Sequence, residues 1–263
     1  MAIKRRDFLK FGGLTLLGTA VSSVVNEVLS GEVKAEEYEP SPKQLVGKHW
    51  GIAIEVKKCK EAQSKCGFKC IEVCNYLHNI PQIPDKKKEI KWIWHDEFEH
   101  AFPEQGTNEY LNEYFKGVPF ILLCNHCEHP PCVRVCPTRA TFKREDGIVM
   151  MDYHRCIGCR FCMAACPYGA RSFNWYDPRR FLKKVNPEYP TRTKGVVEKC
   201  MLCYERLADG KIPACVEACP VKALHFGDLN DPNSEINKVI KGRMVIRRKE
   251  ELGTGPSILY IVD

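Results

Sequence analysis

Short runs of apolar residues recur along the chain, and several of them lead directly into a cysteine. Residues 49–56 (HWGIAIEV), 118–123 and 147–153 each combine β-branched, aromatic and other apolar residues over six to eight positions. This length and composition predict short strands. A cysteine follows each run within three residues. The pattern therefore predicts a repeated unit in which a strand delivers a cysteine-rich loop.

Other elements are predicted between and after these units. Residues 36–47 contain prolines and charges without periodicity and predict a linker. After the three closely spaced cysteines that follow each of the runs 118–123 and 147–153, we expect a short helix that carries a fourth cysteine. The remaining predicted elements are strands at residues 90–94, at residues 223–226 and at the C-terminal end, a helix at residues 108–115 and a helical turn at residues 204–207.

The cysteines occur in groups of four, and two of the groups share a pattern. In each, three cysteines at short intervals are followed after three residues by a fourth, which immediately precedes a proline. Runs of this kind bind iron–sulfur clusters: three thiolates hold one cluster, and the fourth crosses to a neighbouring cluster. The two groups are Cys124, Cys127, Cys132 and Cys136, then Cys156, Cys159, Cys162 and Cys166.

The first and last groups are less regular. One has gaps of six, three and three residues and lacks the proline, and the other has eleven residues between its second and third members. Such gaps still suit one site, because the entropic cost of loop closure rises slowly with length. For the first group, free thiols or a smaller cluster are the alternative. With these groups all sixteen cysteines are assigned: Cys59, Cys66, Cys70 and Cys74, then Cys200, Cys203, Cys215 and Cys219.

Zinc, disulfides and c-type haem are the other uses of such cysteines. Structural zinc sites are usually closed by two pairs of ligands, which triplets followed by Cys-Pro do not match. Disulfides suit an even count in an exported protein. However, cysteines three positions apart on a tight loop face one common point, which favours a shared cluster. Haem attachment requires C-x-x-C-H, and no C-x-x-C of this chain precedes a histidine.

Composition and charge narrow the range of partners. A chain of 263 residues with 44% hydrophobic residues can form one or two domains with their own cores. The formal charge of +7 suggests a nucleic-acid partner. Four 4Fe-4S clusters with their thiolates, however, contribute about −2 each when oxidised, which brings the total to about −1. We therefore predict no nucleic-acid binding, and expect the lysine run at residues 86–88 to be a solvated loop.

Residues 1–35 are typical of an export signal. A charged KRRDFLK opening precedes fifteen uncharged residues and the small-residue site VKA. The pair Arg5 and Arg6, followed by Phe8 and Leu9, indicates the twin-arginine route. The uncharged stretch is shorter than the roughly 20 residues of a spanning helix, although retention of the signal as an anchor stays open beside cleavage. We expect the protein on the outer, periplasmic or extracytoplasmic, face of the cytoplasmic membrane.

Taken together, the motifs resemble a known family. From residue 50 onward, the cysteine groups and the segments FGDLNDPNSE and ELGTGP are similar to the four-cluster, beta-type subunits of membrane quinone oxidoreductases, such as the nitrite, polysulfide, tetrathionate and dimethyl sulfoxide reductases. LHNIP, IKWIW, FEHAFPEQ and PTRTKGVVEKC also resemble DsrO, the iron–sulfur subunit type of DsrMKJOP complexes. The resemblance implies an α+β fold of two ferredoxin-like (βαβ-type) domains, each binding two clusters, with insertions and a C-terminal extension.

The resemblance further implies how the chain is divided. The first and last cysteine groups would share a domain formed by residues 48–78 and 197–228, and the two central groups would share residues 118–172. The other segments are an insertion (79–117), a connection (173–196) and the C-terminal extension (229–263). The insertion is rich in aromatic residues, which we expect to pack around the clusters.

Four ligand quartets also follow from the resemblance, each completed by a cysteine from another group. They are Cys59, Cys66, Cys70 and Cys219 (cluster 1); Cys200, Cys203, Cys215 and Cys74 (cluster 2); Cys124, Cys127, Cys132 and Cys166 (cluster 3); and Cys156, Cys159, Cys162 and Cys136 (cluster 4).

The function implied is a relay of single electrons with no catalysis in this chain. The implied partners are a menaquinone-interacting integral membrane subunit (DsrP-like), a multihaem cytochrome c (DsrJ-like) and the other DsrMK-type subunits of a complex linked to dissimilatory sulfate reduction. Two alternatives stay open: the electron-transfer subunit of a molybdopterin reductase, and a zinc-binding structural module. We find no catalytic constellation in the sequence, and expect structural roles for His78, His95 and His100.

Overall fold

The computed structural model describes residues 41–263. The predicted signal, residues 1–35, and the first part of the predicted linker, residues 36–40, lie outside the described residues. Within the described range, no helix has both the length and the apolar character that crossing a membrane requires.

Ten short strands are present among residues 41–263. They are β1 (Trp50–Glu55), β2 (Ile93–Asp96), β3 (Phe120–Leu123), β4 (Thr141–Lys143), β5 (Val149–Met151), β6 (Ser172–Phe173), β7 (Val197–Glu198), β8 (Leu224–Asp228), β9 (Val245–Ile246) and β10 (Ile258–Ile261). One sheet has the order β8-β1-β10-β9, and the other six strands form the antiparallel ribbons β2-β3, β4-β5 and β6-β7.

The helices of the same range are also short, and most of them border cysteine loops. They are α1 (Val56–Cys66), α2 (Lys69–Leu77), α3 (Phe98–Ala101), α4 (Glu109–Tyr114), α5 (Pro131–Arg134), α6 (Phe161–Ala164), α7 (Tyr204–Ala208), α8 (Ala214–Glu217) and α9 (Glu235–Ile240). Three 3₁₀ turns lie at Lys86–Lys88, Pro178–Phe181 and Glu250–Leu252.

The large sheet joins the two ends of the described chain. All six residues of β1 are buried, because β8 pairs with one edge and β10 with the other. Trp50 of β1 stacks on Phe226 of β8 with 4.8 Å between ring centroids. Ile236 of α9 is buried with Ala53 and Leu259 of the sheet. The C-terminal extension therefore packs as part of the sheet.

Most of the predicted elements are confirmed with small shifts at their ends. Those confirmed are the strands at 49–56, 118–123, 147–153, 223–226 and the C-terminal end, and the helices at 108–115 and 204–207. In the aromatic insertion, Phe98 stacks on Phe102 and on Phe115, and all three side chains are buried. Together these observations confirm a mixed α and β fold.

The predicted strand at residues 90–94 is wrong in position, because β2 starts only at Ile93. Ile90 and Trp92 are nevertheless buried. The indole Nε1 of Trp92 donates a hydrogen bond to Glu198 Oε2 at 3.0 Å. The apolar residues that suggest a strand thus fill the core from an irregular segment, which tertiary contacts hold in place.

A buried ion pair anchors the connection (173–196) to the core. Arg192 Nη2 lies 2.8 Å from Glu198 Oε2, and the two side chains are 1% and 0% exposed. The Arg192 guanidinium also donates to the backbone oxygen of Asn79, at 2.8 Å. Through these contacts, Arg192 connects its own loop with β7 and with the loop at Asn79, which is distant in sequence.

Candidate iron–sulfur centres

All sixteen cysteines lie among the described residues, and each of them is free of a disulfide. They gather in four sets of four, which we call quartets 1 to 4. Quartet 1 is Cys59, Cys66, Cys70 and Cys219; quartet 2 is Cys74, Cys200, Cys203 and Cys215; quartet 3 is Cys124, Cys127, Cys132 and Cys166; quartet 4 is Cys136, Cys156, Cys159 and Cys162. They have the same members as the quartets that the family resemblance implies, and we treat them as the candidate ligand sets.

The irregular spacing of the first cysteine group has a structural explanation. Residues 59–66 lie on α1, so the long gap between the first two cysteines is filled by helical turns. Gly67, with φ of 54°, ends this helix in the left-handed conformation that glycine adopts readily. Cys70 follows on α2. Burial, together with the neighbouring thiol of Cys219, raises the pKa of Cys59 and of Cys70 to about 12.

Quartet 2 is the most enclosed of the four. Its cysteines line one internal cavity together with Trp92 and Leu123, and all four are buried. Burial and the other thiols of the quartet raise the pKa of Cys74 and of Cys215 well above the usual thiol range. The long gap between Cys203 and Cys215 holds α7.

Quartets 3 and 4 are formed by the two regular cysteine groups, which exchange their fourth members. The prediction that a short helix carries each fourth cysteine is wrong. The helices α5 and α6 carry the third cysteines, Cys132 and Cys162, while Cys136 and Cys166 follow two residues after the helix ends. Leaving the helix lets each fourth cysteine turn toward the other group. In this position, beyond the end of α5, Cys136 Sγ accepts a hydrogen bond from the Thr141 N–H at 3.4 Å.

A glycine in the loop of quartet 4 allows a close backbone approach, which yields a test. Gly158 has φ of 69°, and a Cβ at this position would collide with the Gly195 carbonyl oxygen. Gly169 has a similar φ of 63° but open space around it. We expect Gly158→Ala to lower the free energy of unfolding by about 2–5 kcal/mol, against about 1–2 kcal/mol for Gly169→Ala, because only the former adds a steric clash to the left-handed strain.

Urea denaturation of the two variants, followed by the visible absorbance of the protein, measures this difference. Gly158→Ala should also lose iron from quartet 4, whereas Gly169→Ala should retain it. Equal stability of the two variants would show that the backbone around residue 195 moves away at no cost.

Successive quartets lie close together, and we call this succession of neighbours the row. Cys70 of quartet 1 raises the pKa of Cys215 in quartet 2, and Cys124 of quartet 3 raises that of Cys200 in quartet 2. Cys132 of quartet 3 raises the pKa of Cys162 in quartet 4. Thiols influence each other in this way only when they lie close together in a poorly screened interior. The order is therefore quartet 1, 2, 3 and 4.

Exposure differs between the ends and the middle of this row. Quartets 1 and 4 each have three partly exposed cysteines, whereas quartet 2 is wholly buried and quartet 3 has one partly exposed member. Beside quartet 4, Ile157 and Phe161 are 67% and 59% exposed. The end quartets thus reach the surface, and the middle quartets are shielded from water.

Known proteins are similar to this chain in sequence. Residues 118–183 and 182–229 match the family described as a 4Fe-4S dicluster domain. The chain is 40% identical to the Hdr-like menaquinol oxidoreductase iron-sulfur subunit 1 of Archaeoglobus fulgidus, over 98% of this chain and 97% of that protein. It is 37% identical to the menaquinone reductase iron-sulfur cluster-binding subunit of Nitratidesulfovibrio vulgaris, over 81% and 88%.

A third relative is a subunit of the tetrathionate reductase of Salmonella typhimurium, with 32% identity over 99% of this chain and 89% of that protein. The chain belongs to this family of iron–sulfur electron-transfer subunits. Family membership confirms the predicted iron–sulfur chemistry.

The residues of this iron–sulfur subunit fit the clusters that its family implies. Burial raises the pKa of thiols such as Cys127 and Cys200 to about 12, so four adjacent thiolates need a cationic centre among them. Sulfur-directed N–H groups are also in place, from Leu202 to Cys200 at 3.4 Å and from Ala223 to Cys219 at 3.2 Å. Such hydrogen bonds stabilise thiolates that are bound to iron.

Sequence reasoning missed side chains that contact the cysteines. His78, expected to be structural only, is buried, and its Nδ1 lies 3.6 Å from Cys74 Sγ, while its Nε2 lies 2.8 Å from Glu205 Oε1. Its position four residues after Cys74 on α2 was the available signal, because such residues share a helix face. Arg171 and Lys199 were also missed, and nothing local in the sequence marks them. By contrast, His95 stacks on Phe68, and His100 is exposed beside Asp96.

Proposed function

We propose that this protein is the electron-transfer subunit of a respiratory membrane complex, and that it carries single electrons through four 4Fe-4S clusters, one in each quartet. The observation that carries the proposal is the row of quartets with accessible ends and an enclosed middle. A protein that stored clusters or used them only as cross-links would not need an accessible quartet at each end of the row. A relay between two partners requires both.

The protein's own residues position, shield and tune the carriers. Clusters, when bound, supply one-electron carriers that change charge without making or breaking bonds to a substrate. The exchange of Cys74 and Cys219 between the first and last cysteine groups holds neighbouring quartets side by side. Burial excludes water from quartet 2, and the backbone N–H groups at sulfur stabilise negative charge there. The two ferredoxin-like halves proposed from the sequence, each with two quartets, are consistent with this arrangement.

The proposed partners lie at the two ends of the row. One is a DsrP-like membrane subunit that exchanges electrons with menaquinone, and the other is a DsrJ-like multihaem cytochrome c, within a DsrMKJOP-type complex. The names of two relatives, which refer to menaquinol and menaquinone, support the quinone side. The twin-arginine pattern of the N-terminal sequence supports a position on the outer face of the cytoplasmic membrane.

A second candidate is the electron-transfer beta-type subunit of a molybdopterin reductase. The match to the tetrathionate reductase subunit over nearly the whole chain favours it. Both candidates use the same relay but differ in the protein that receives the electrons. Affinity purification of the tagged protein from its native membranes separates them: a haem-containing partner supports the first candidate, whereas molybdenum in the purified complex supports the second.

Iron and acid-labile sulfide analysis tests the relay itself. We expect about sixteen iron and about sixteen sulfide per chain, since four cubane clusters hold four of each. Chemical reduction should then give interacting EPR signals, because neighbouring quartets are close together. Zinc without labile sulfide in the anaerobically purified protein would refute the proposal, and about twelve iron would reduce the number of clusters to three.

A further inference from the structure

Two buried cations lie beside quartet 3. The Arg171 side chain is buried with the residue 5% exposed, and Lys199 is 0% exposed. In the antiparallel β6-β7 ribbon, Ser172 pairs with Glu198. Arg171 precedes Ser172 and Lys199 follows Glu198, so the two cations lie opposite each other just beyond this pair. Opposed residues of an antiparallel pair project toward the same side. One short ribbon therefore delivers two positive charges to the same region.

Arg171 contacts the quartet directly. Its Nη2 donates to Cys132 Sγ at 3.1 Å, and its Nη1 donates to Thr141 Oγ1 at 3.2 Å. Cys124 and Cys162 are also near enough to raise the pKa of Arg171, and with Cys132 they outweigh the opposite effect of burial. An arginine in this position stays charged under all ordinary conditions. The guanidinium lies between quartet 3 and quartet 4.

Lys199 occupies the opposite junction, between quartets 2 and 3. Its Nζ donates to the backbone oxygens of Val149 and Cys200. Burial lowers the pKa of Lys199, while the thiols of Cys124 and Cys200 act in the opposite direction. The lysine thus lies at the backbone of Cys200 in quartet 2, and it is near enough to Cys124 of quartet 3 for that thiol to affect its pKa.

Neither cation has a carboxylate partner within residues 41–263, where eighteen ion pairs are found. Glu198, the neighbour of Lys199 in sequence, pairs with Arg192 instead. A buried charge without a counter-charge is strongly unfavourable. The groups around Arg171 and Lys199 that can supply negative charge are the thiolates of the quartets.

We propose that Arg171 and Lys199 raise the reduction potential of the cluster in quartet 3. This inference rests on the proposed function. Reduction adds one electron, and hence one negative charge, to the cluster, with no accompanying proton. Two fixed positive charges in a poorly screened interior stabilise that added charge. The cluster in quartet 3, next to the exposed quartet 4, is therefore reduced more readily than it would be without these charges.

The competing explanation is that the two side chains only cross-link loops. Arg171 does join the loop of Cys132 to Thr141 of β4, and Lys199 does join β5 to the loop that begins at Cys200. A cross-link would affect stability and cluster retention, but it would leave the potential of a retained cluster unchanged. The reduction potential is therefore the measurement that separates the two roles.

The test uses anaerobically purified holoprotein of full length and redox titration followed by EPR. Cys166→Ser identifies the signal of quartet 3, because it changes a member of that quartet only. Arg171→Gln and Lys199→Gln should each make reduction of that signal at least tenfold less favourable, a negative shift of about 59 mV for one electron. Arg171→Lys, which keeps the charge, should shift it by less than half as much.

Arg179→Gln is the matched control, since Arg179 is an exposed arginine whose side chain is 60% accessible and pairs with Asp177. It should leave the quartet 3 potential unchanged. If Arg171→Gln fails to assemble, Lys199→Gln and Arg171→Lys carry the test. An unchanged potential in variants that retain full iron overturns the inference while leaving the relay intact. A wild-type protein without iron and sulfide overturns the proposed function instead.

Discussion

Replacing Cys74 with alanine is expected to empty quartet 2 and to stop electron passage along the chain. Cys74 is fully buried among Cys200, Cys203 and Cys215, so no water can readily substitute for its thiolate. Quartet 2 is also the link between quartet 1 and quartet 3. Iron content should fall from about sixteen to about twelve per chain, and electron exchange between the partners of the purified complex should fall to background.

Tyr76→Ala is the matched control for this prediction. Tyr76 lies on the same helix, α2, but is 38% exposed, so its loss should change neither iron content nor electron exchange. Metal analysis and a stopped-flow assay of the intact complex give the two readouts. A Cys74→Ala complex that loses the cluster but transfers electrons at the wild-type rate would show that quartet 2 is not on the route.

Replacing Glu198 with alanine is expected to lower the free energy of unfolding by about 3–5 kcal/mol. The change leaves the Arg192 guanidinium charged and buried without its counter-charge, and also removes the acceptor for the Trp92 indole. The size of the effect reflects the cost of an unpaired buried charge more than the strength of the original ion pair. Urea denaturation under anaerobic conditions measures it.

Two further variants define this effect. Glu188→Ala removes an exposed carboxylate from the same region of the chain and should change stability by no more than about 0.5 kcal/mol. Glu198→Gln keeps a hydrogen-bond acceptor of similar shape but loses the charge, so its loss in free energy of unfolding should lie between those of Glu198→Ala and Glu188→Ala. A loss below about 1 kcal/mol in Glu198→Ala would mean that Arg192 finds another counter-charge or water.

Local sequence was sufficient for the chemistry of the cysteines and for most of the strands. Short intervals between cysteines bring thiols to one point, and the length and β-branched residues of the run HWGIAIEV favour a strand. Prediction failed where tertiary contacts overrode local pattern. Trp92 is buried outside a strand, where Glu198 accepts its N–H. Cys136 and Cys166 follow the helices of their own groups, and each completes the quartet of the other group.

The sequence by itself determined that this is an iron–sulfur protein with four groups of cysteines, because that information resides in intervals of a few residues and is independent of the fold. Only the tertiary structure decided the order of the quartets, their exposure, and the position of Arg171 beside Cys132, 39 residues away in the chain. These properties depend on which distant segments pack together. The physical reason is that burial and electrostatic influence act through space, so a cation can lie beside a cluster with no trace of the contact in the local sequence.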